Sequence, residues 1–327
     1  MEPMAPSVEN TPEGSPSLGL AGYPLVEGGL RMVIEAGDPA FPAGLAHVED
    51  CPERLYVVGD ETALTPGLAI VGARKATPYG LACAERFAGI AAQMGVTVIS
   101  GGAIGCDQAA HSGTLKRGGK TVVVLGSGAD VVYPKRGKAL FEEVVARGGA
   151  LVSEQRWGYP PKKFTFRRRN RIIAGLARAV LIVEAGLPSG TFSTADYALE
   201  AGREVLAVPG SIFSRESAGS NRLLRDGATP IIDDESLIVE IGRIFHTNDG
   251  YAIDAPATKR WNLSFTPTPS QYRMLTIVSA APQTPDGLHD AMGGTLIDVL
   301  KDLSYLETMG AVARYPDGRF GLDPRVC

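Results

Sequence analysis

Short apolar runs alternate with longer segments of helical periodicity through most of the chain. Between Leu68 and Phe245 the apolar runs are LAIVG (68–72), VTVIS (96–100), TVVVLG (121–126), ALVSE (150–154), AVLIVEA (179–185), EVLAVPG (204–210) and TPII (229–232). The segments between them, such as 79–95 and 190–203, carry Ala, Leu, Glu and Arg at helical spacing. Nearly all-apolar strands that alternate with helices are typical of a parallel sheet covered on both faces. The pattern therefore predicts an α/β, doubly wound, mostly parallel sheet of about seven strands over residues 38–245.

The segment before this pattern has a different composition. Residues 1–37 are rich in Pro, Gly, Ser and Glu, which predicts a flexible leader with at most one short ordered turn near Leu30–Glu35. We expect ordered chain to begin near Asp38.

The segment after the α/β pattern no longer alternates between apolar runs and helical segments. Residues 246–265 are interpreted as a linker, and two amphipathic helices are predicted over 269–279 and 295–310. A short helix is predicted near Asp286–Met292. The remaining strand–turn–strand pattern is 311–322, with its turn at Pro316-Asp317-Gly318. Three helices and a hairpin predict a small winged-helix-like domain over 266–327.

Composition restricts the function classes. The chain has 327 residues, 44% of them hydrophobic, which excludes a wholly disordered protein. Its net charge of −4 argues, taken globally, against a nucleic-acid binder, because such domains are usually basic. The four cysteines are scattered without a CxxC pair, so neither a zinc site nor a disulfide framework is expected.

Targeting signals are not visible in the sequence. There is no signal-peptide pattern and no apolar run of about 18 residues, so we expect no membrane association and a cytoplasmic location.

One segment departs strongly from the acidic average. Residues 156–171 hold seven positive charges in sixteen residues, and no acidic residue lies between Glu154 and Glu184. The aromatic residues Trp157, Tyr159, Phe164 and Phe166 are interleaved with these cations. Cations together with ring faces are what single-stranded nucleic acid requires. A basic run is also typical of a solvated loop, or of cations paired with acidic neighbours in the fold, and the sequence leaves these alternatives open.

Two Gly-rich turns follow predicted strands. VGARKATPYG (71–80) leaves the first sheet strand, and SGGAIGCDQAAH (100–111) ends the next strand and opens a helix. Ligands of doubly wound folds bind beyond the carboxyl ends of strands, and the free N–H groups of a helix N-terminus favour anions. We therefore predict a phosphate site at these turns. Tight turns that serve only packing would have the same sequence.

A third turn, Pro188-Ser189-Gly190-Thr191, precedes a helix that begins with Ser and Thr residues. It suits a phosphate or a sugar, but Ser and Thr are also ordinary helix caps. His111 is the one histidine near a turn of the sheet region, and no Ser-His-Asp spacing or His/Cys cluster indicates catalysis or a metal site.

At this point the residues resemble one family, DNA-processing protein A (DprA, also called Smf). The matching stretches lie in family order at 41–60, 69–80, 98–115, 124–144, 151–161, 166–210 and 219–228. The resemblance implies an extended Rossmann-like domain that binds single-stranded DNA and loads the recombinase RecA onto it during natural transformation. It further implies a homodimer, no enzymatic activity, no nucleotide cofactor and no metal.

The resemblance also assigns DNA-binding positions. The family's Gly-Ser-Arg turn falls on Gly72, Ala73 and Arg74, where Ala replaces Ser and removes a hydroxyl contact. The full set that it implies is Gly72, Ala73, Arg74, Ser100, Gly101, Gly102, Lys163, Phe166, Arg167, Arg169, Asn170 and Arg171. Arg167 stands where the family usually has Pro, so this chain carries an additional charge there.

Two other function classes were weighed. Related Rossmann-type enzymes cleave nucleoside monophosphates and carry a Pro-Gly-Gly-x-Gly-Thr motif followed by Glu. Here the corresponding turn, 188–191, lacks the Gly-Gly pair, and Glu200 is displaced. A duplex-DNA regulator would use the helix at 295–310, but that helix has one Lys and three acidic residues, Asp298, Asp302 and Glu307, which would repel phosphates. That module is better suited to protein contact or packing.

Overall fold

The structure is a computed structural model that describes residues 22–246, 263, 265–280, 282–315 and 318–323. The chain divides into two compact units, Met1–Gly250 and Tyr251–Cys327. No helix among the described residues is both long and apolar enough to cross a membrane.

The described part of the first unit contains a nine-stranded sheet. Its strands are β1 (Arg31–Glu35), β2 (Arg54–Gly59), β3 (Gly67–Val71), β4 (Val98–Ser100), β5 (Thr121–Val124), β6 (Ala150–Ser153), β7 (Ala177–Ile182), β8 (Glu204–Ala207) and β9 (Thr229–Pro230). The spatial order is β1-β2-β6-β5-β4-β3-β7-β8-β9. All neighbours from β6 to β9 are parallel, whereas β1 and β2 are antiparallel additions at one edge. The predicted mixed α/β fold with a mostly parallel sheet is confirmed.

Helices connect the parallel strands. They are α1 (Pro78–Gln93), α2 (Cys106–Lys116), α3 (Lys138–Ala146), α4 (Lys163–Leu176), α5 (Thr191–Glu200), α6 (Ala218–Arg225) and α7 (Asp234–Phe245). Every residue of β3, β4, β5 and β6 is buried, as the continuous apolar runs predicted for strands covered on both faces.

The strand order reverses at β3. From this strand the chain moves through β4 and β5 toward one edge, and later through β7 and β8 toward the other. A crevice forms beyond the carboxyl ends of the strands at such a switch point. Because α4 precedes β7, the N-terminus of α4, with its basic residues, lies at this same carboxyl edge.

The predicted flexible leader needs correction for the residues that the structure describes. Arg31–Glu35 form strand β1, which pairs with β2 in antiparallel register from Arg31↔Val58 to Glu35↔Arg54. Met32 is 4% exposed and Ile34 is fully buried, so this strand belongs to the core. The many Gly and Pro residues around β1 favour the interpretation as a flexible leader, although the strand itself alternates buried and partly exposed residues. Residues 1–21 lie outside the described residues.

The second unit contains three helices and a strand pair. They are α8 (Pro269–Ala280), α9 (Pro285–Met292), α10 (Leu296–Thr308), β10 (Val312–Arg314) and β11 (Phe320–Leu322). Met274, Leu288, Leu303 and Phe320 contribute to a separate apolar core. The three helices lie where the sequence predicted them, and the winged-helix assignment stays a prediction. Most of the predicted linker (247–262 and 264) and the turn residues Pro316 and Asp317 lie outside the described residues.

Candidate nucleic-acid interface

The turn after β3 packs tightly against the start of α2. A Cβ at Gly72 would lie 2.6 Å from the sulfur of Cys106, and a Cβ at Gly105 (φ 100°) would overlap the carbonyl oxygen of Ala73. Glycine is required at both positions because the two backbones touch. This packing fixes the turn and leaves Arg74 exposed at its tip.

Arg74 meets a residue from a distant part of the sequence. Its guanidinium carbon lies 5.6 Å from the ring centroid of Phe166, on α4. The Phe166 ring in turn lies 5.2 Å from the ring of Tyr133, and a Cβ at Gly126 would be 2.8 Å from its Cδ1. The structure thus brings together Arg74 and Phe166, which the sequence had placed at one site, and it supports Phe166 on the chain that follows β5.

Arg169 lies inside the protein. Its side chain is 5% exposed, and Nη1 donates to the carbonyl of Gly101 at 2.7 Å and to that of Val124. Burial lowers the pKa of Arg169 to about 10, so the guanidinium stays charged at neutral pH. This arginine therefore joins the carboxyl ends of β4 and β5 to α4.

The turn after β4 is likewise engaged by the protein. Ser100 is fully buried and its hydroxyl donates to the carbonyl of Ile70 at 2.6 Å. A Cβ at Gly101 would lie 2.6 Å from the Arg169 guanidinium, and Gly102 has φ 68°. These three residues shape the turn, and their expected contact with DNA stays a prediction.

An acidic side chain of the protein engages the N-terminus of α2, and the phosphate site expected there stays a prediction. The backbone N–H of Ala103 donates to Oδ2 of Asp107 at 3.3 Å, and Asp107 itself is buried. Burial raises the pKa of this carboxyl group, while Arg169 opposes the shift. The chain's own acidic side chain thus lies where an incoming phosphate was expected, because a carboxylate satisfies the same N–H groups and helix dipole.

The other two residues of the Arg-Asn-Arg motif also bind protein groups. Asn170 Nδ2 donates to the hydroxyl of Ser193 at 2.8 Å. Arg171 is 2% exposed and donates from Nη2 to Glu154 Oε2 at 2.6 Å. Three consecutive residues of α4 thus hold the chain that follows four strands: Arg169 after β4 and β5, Asn170 after β7, and Arg171 after β6.

The basic segment consequently divides into two groups. Arg168 and Arg171 pair with acidic residues, namely Glu154 and Asp50, which is 2.8 Å from Arg168. For Arg168 and Arg171, the structure therefore shows the alternative in which basic residues pair with acidic residues of the same fold. Sequence reasoning missed Asp50 because it lies more than a hundred positions before its partner.

Other cations at the same edge are exposed and have no carboxylate within ion-pair distance, as far as the described part of the chain shows. They include Arg74, Lys135, Lys162, Lys163 and Arg167, and also Lys75, Arg136 and Arg156. Surface cations elsewhere are commonly paired, for example Lys116 with Glu85, Arg86 with Asp234 and Arg225 with Asp226. Three carboxylates that follow strands or turns at this edge are engaged: Glu154 with Arg171, Glu184 with Thr77, and Asp130 with Arg31. Free positive charge therefore accumulates at the carboxyl ends of the strands.

Sequence reasoning passed over the chain after β5. Tyr133 contacts Phe166 and is partly exposed, and the exposed cations Lys135 and Arg136 follow it after Pro134. Lys135 and Arg136 beside Tyr133 could have indicated this part of the site, but they lie outside the denser basic segment at 156–171.

The turn after β7 uses its hydroxyl groups internally. Ser189 Oγ accepts from the N–H of Thr191 at 3.1 Å, and Ser193 Oγ donates to the carbonyl of Gly190 at 2.7 Å. Glu200 is the exposed last residue of α5, one full helix away from this turn. Glu200 therefore does not lie at the turn, where the nucleotide-cleaving alternative would need it.

Comparisons with known proteins agree with the resemblance. The family model for DNA recombination-mediator protein A matches residues 32–242. Protein Smf of Escherichia coli K12 is 35% identical over 288 residues, covering 88% of this chain and 76% of that protein. DNA processing protein DprA of Streptococcus pneumoniae R6 is 38% identical over 205 residues, covering 62% of this chain and 72% of that protein.

Solved structures give the same result. The X-ray structure of DprA from Streptococcus pneumoniae matches with a TM-score of 0.59 and 37% identity, covering 64% of this chain and 73% of that one. DNA processing protein A from Helicobacter pylori, whose structure was described for its single-stranded DNA binding mode, matches with a TM-score of 0.59 and 30% identity. That match covers 65% of this chain and 96% of the other.

Proposed function

The chain belongs to the DNA recombination-mediator protein A family, and from this premise we propose that it binds single-stranded DNA at the carboxyl edge of its sheet. It then presents the strand to RecA for recombination, as in natural transformation. It acts in the cytoplasm as a homodimer, as a binding protein that catalyses no reaction and uses no nucleotide or metal cofactor.

One observation carries the proposal for DNA. Several exposed cations at this edge have no carboxylate within ion-pair distance among the described residues, and we call five of them the edge cations: Arg74, Lys135, Lys162, Lys163 and Arg167. Leaving several like charges together is unfavourable unless a polyanion neutralises them. Phe166 lies among these cations, partly exposed, and supplies the ring surface that unpaired bases use.

The geometry divides the predicted DNA-binding residues by role. Arg74, Lys163, Phe166 and Arg167 reach the surface and are proposed to contact phosphates and bases. Ser100, Arg169, Asn170 and Arg171 hold the turns that position them. Gly72, Ala73, Gly101 and Gly102 give the backbone its close approach.

The partly exposed ring of Phe166 favours binding of single-stranded over duplex DNA. Bases in a duplex are stacked on each other and their faces are covered, so a stacking surface gains contact only with unpaired bases. A duplex could still meet the edge cations through its phosphates, and salt-sensitive, weaker binding of duplex is therefore expected.

The direct test is fluorescence anisotropy with one labelled oligonucleotide, either single-stranded or annealed to its complement. We expect tighter binding of the single strand, and weakening by about 1–3 kcal/mol in Arg74→Ala, the range for a charge-assisted hydrogen bond. Arg225→Ala is the matched control, because it removes the same charge from an exposed arginine that is paired with Asp226. Equal affinity for duplex, or equal loss in both variants, would contradict the proposal.

The RecA step needs its own measurement. RecA filament growth on single-stranded DNA already coated with a single-strand-binding protein is expected to accelerate when this protein is added. Arg74→Ala should slow the acceleration in proportion to its lost DNA affinity. Filament growth that is unaffected by the wild-type chain would remove RecA loading from the proposal while leaving DNA binding in place.

A further inference from the structure

Three aromatic rings form a row at the carboxyl edge of the sheet. The centroids of Phe166 and Tyr133 are 5.2 Å apart, and those of Tyr133 and Tyr23 are 6.1 Å apart. Cations lie against both ends of the row, with Arg74 5.6 Å from the Phe166 centroid and Lys135 5.3 Å from that of Tyr23. We call these five residues the aromatic row.

The row differs from core packing. Its three rings are all partly exposed, whereas Phe141, which packs under the same region, is fully buried. Neither Arg74 nor Lys135 has a carboxylate within ion-pair distance among the described residues. Ring surface open to solvent beside unpaired cations is the combination by which proteins hold single strands.

Tyr23 reaches the row through backbone pairing. The carbonyl of Pro24 accepts from the N–H of Val132 at 2.9 Å, and the N–H of Val26 donates to the carbonyl of Asp130 at 2.9 Å. Val26 is 3% exposed and anchors this segment in the core. The chain before β1 is therefore fixed against the loop after β5, and this pairing carries Tyr23 to Tyr133.

We propose that the aromatic row is one continuous track for single-stranded DNA, in which Tyr133, Tyr23 and Lys135 extend the Arg74–Phe166 site by further nucleotides. This inference rests on the proposed function. Arg74 and Phe166 hold the first nucleotides, and the strand then runs over Tyr133 to Tyr23, where Lys135 meets its backbone. The segment before β1 is thereby part of the DNA site.

The test uses the full chain and oligothymidines of two lengths, about four and about 15 nucleotides. Tyr23→Leu and Lys135→Gln are expected to weaken binding of the long oligonucleotide roughly tenfold and to leave the short one unchanged. Arg74→Ala should weaken both lengths. Tyr305→Leu and Lys116→Gln are the matched controls, since Tyr305 lies on α10 of the second unit and Lys116 is paired with Glu85.

Tyr133 is tested without relying on a variant that could misfold. Photocrosslinking of the long oligonucleotide carrying 5-iodouracil, followed by mass spectrometry of the wild-type chain, should yield adducts on Tyr133 and Tyr23 and none on Tyr305. If Arg74→Ala loses affinity while Tyr23→Leu and Lys135→Gln bind normally and neither tyrosine is crosslinked, the track is overturned and the proposed function stands. If the wild-type chain binds neither oligonucleotide, the proposed function itself fails.

Discussion

Arg167 and Arg169 stand two positions apart on α4 and meet opposite environments. Residues two positions apart do not share a helix face, so Arg167 points to solvent while Arg169 is buried against the carbonyls of Gly101 and Val124. In this run of arginines, Arg167 is therefore a candidate for binding DNA, whereas Arg169 stabilises the fold through hydrogen bonds to the backbone.

This contrast gives the first residue-scale prediction. Arg169→Met should reduce the free energy of unfolding by about 1–3 kcal/mol for each carbonyl that loses its donor. Arg167→Ala should leave stability within about 0.5 kcal/mol of wild type and weaken DNA binding. Urea denaturation and fluorescence anisotropy measure the two effects. A stable Arg169→Met that binds DNA poorly would instead place Arg169 in direct contact with the strand.

His111 provides a second prediction, on pH. Its Nδ1 lies 2.7 Å from the hydroxyl of Thr121, which already donates to the carbonyl of Val98 at 2.7 Å. Nδ1 therefore carries the proton, and the buried Nε2 has no hydrogen-bond partner among the residues that the structure describes. Burial, with a smaller contribution from Arg169, lowers the pKa of His111 to about 3.

The direction of the pH dependence follows from the pKa of histidine in the unfolded chain, which is about 6.5. Because the folded pKa is the lower one, the stabilisation is complete above pH 6.5 and is lost as the unfolded state takes up a proton below it. The free energy of unfolding should fall by about 2 kcal/mol between pH 7 and pH 5 from this group. Urea titrations of wild type and His111→Asn measure it, and an identical decline in the variant would refute the assignment.

At the scale of single elements, the sequence predicted strands from continuous apolar runs. The seven apolar runs located β3 to β9, since two-sided burial demands a continuous apolar run. β2, with Arg54 and Tyr56 beside buried Leu55 and Val57, lies within a stretch cited only for family resemblance. β1 is predicted only as a short ordered turn near Leu30–Glu35, because the apolar run Met32-Val33-Ile34 is short and lies close to glycines.

The missed strand yields a prediction at this scale. A chain that begins at Asp38, where order was expected to begin, lacks β1 and with it the buried side chains of Met32 and Ile34. Loss of these two side chains should lower the free energy of unfolding by about 3–6 kcal/mol. A chain that begins at Leu30 is the control, because it keeps β1 but, like the shorter chain, lacks the buried Val26 and the residues before it. Equal urea midpoints for the two truncated chains would show that β1 contributes nothing to stability.

For the molecule as a whole, average charge was a misleading guide. The net charge of −4 argues against a nucleic-acid partner, yet many acidic residues are held in ion pairs, among them Glu154 with Arg171, and the edge cations are left unpaired among the described residues. The sequence located the basic segment, Arg74 and Phe166. It could not show which arginines were internal, nor that Lys135 and Tyr23 lay nearby, because those facts depend on contacts between distant segments.

Segregated charge makes a quantitative prediction for the whole protein. Each phosphate neutralised on a single strand contributes a slope of about −0.7 to the plot of log affinity against log salt concentration, because bound counterions are released. If all five edge cations contact phosphates, the slope for the long oligothymidine should be about −3.5. Lys163→Ala should make it shallower by about 0.7, whereas Arg225→Ala, with the same change in net charge, should leave it unchanged. A flat plot, or equal slopes for both variants, would mean that net charge rather than the edge cations governs binding, and a protein of net charge −4 would then have no electrostatic reason to hold DNA.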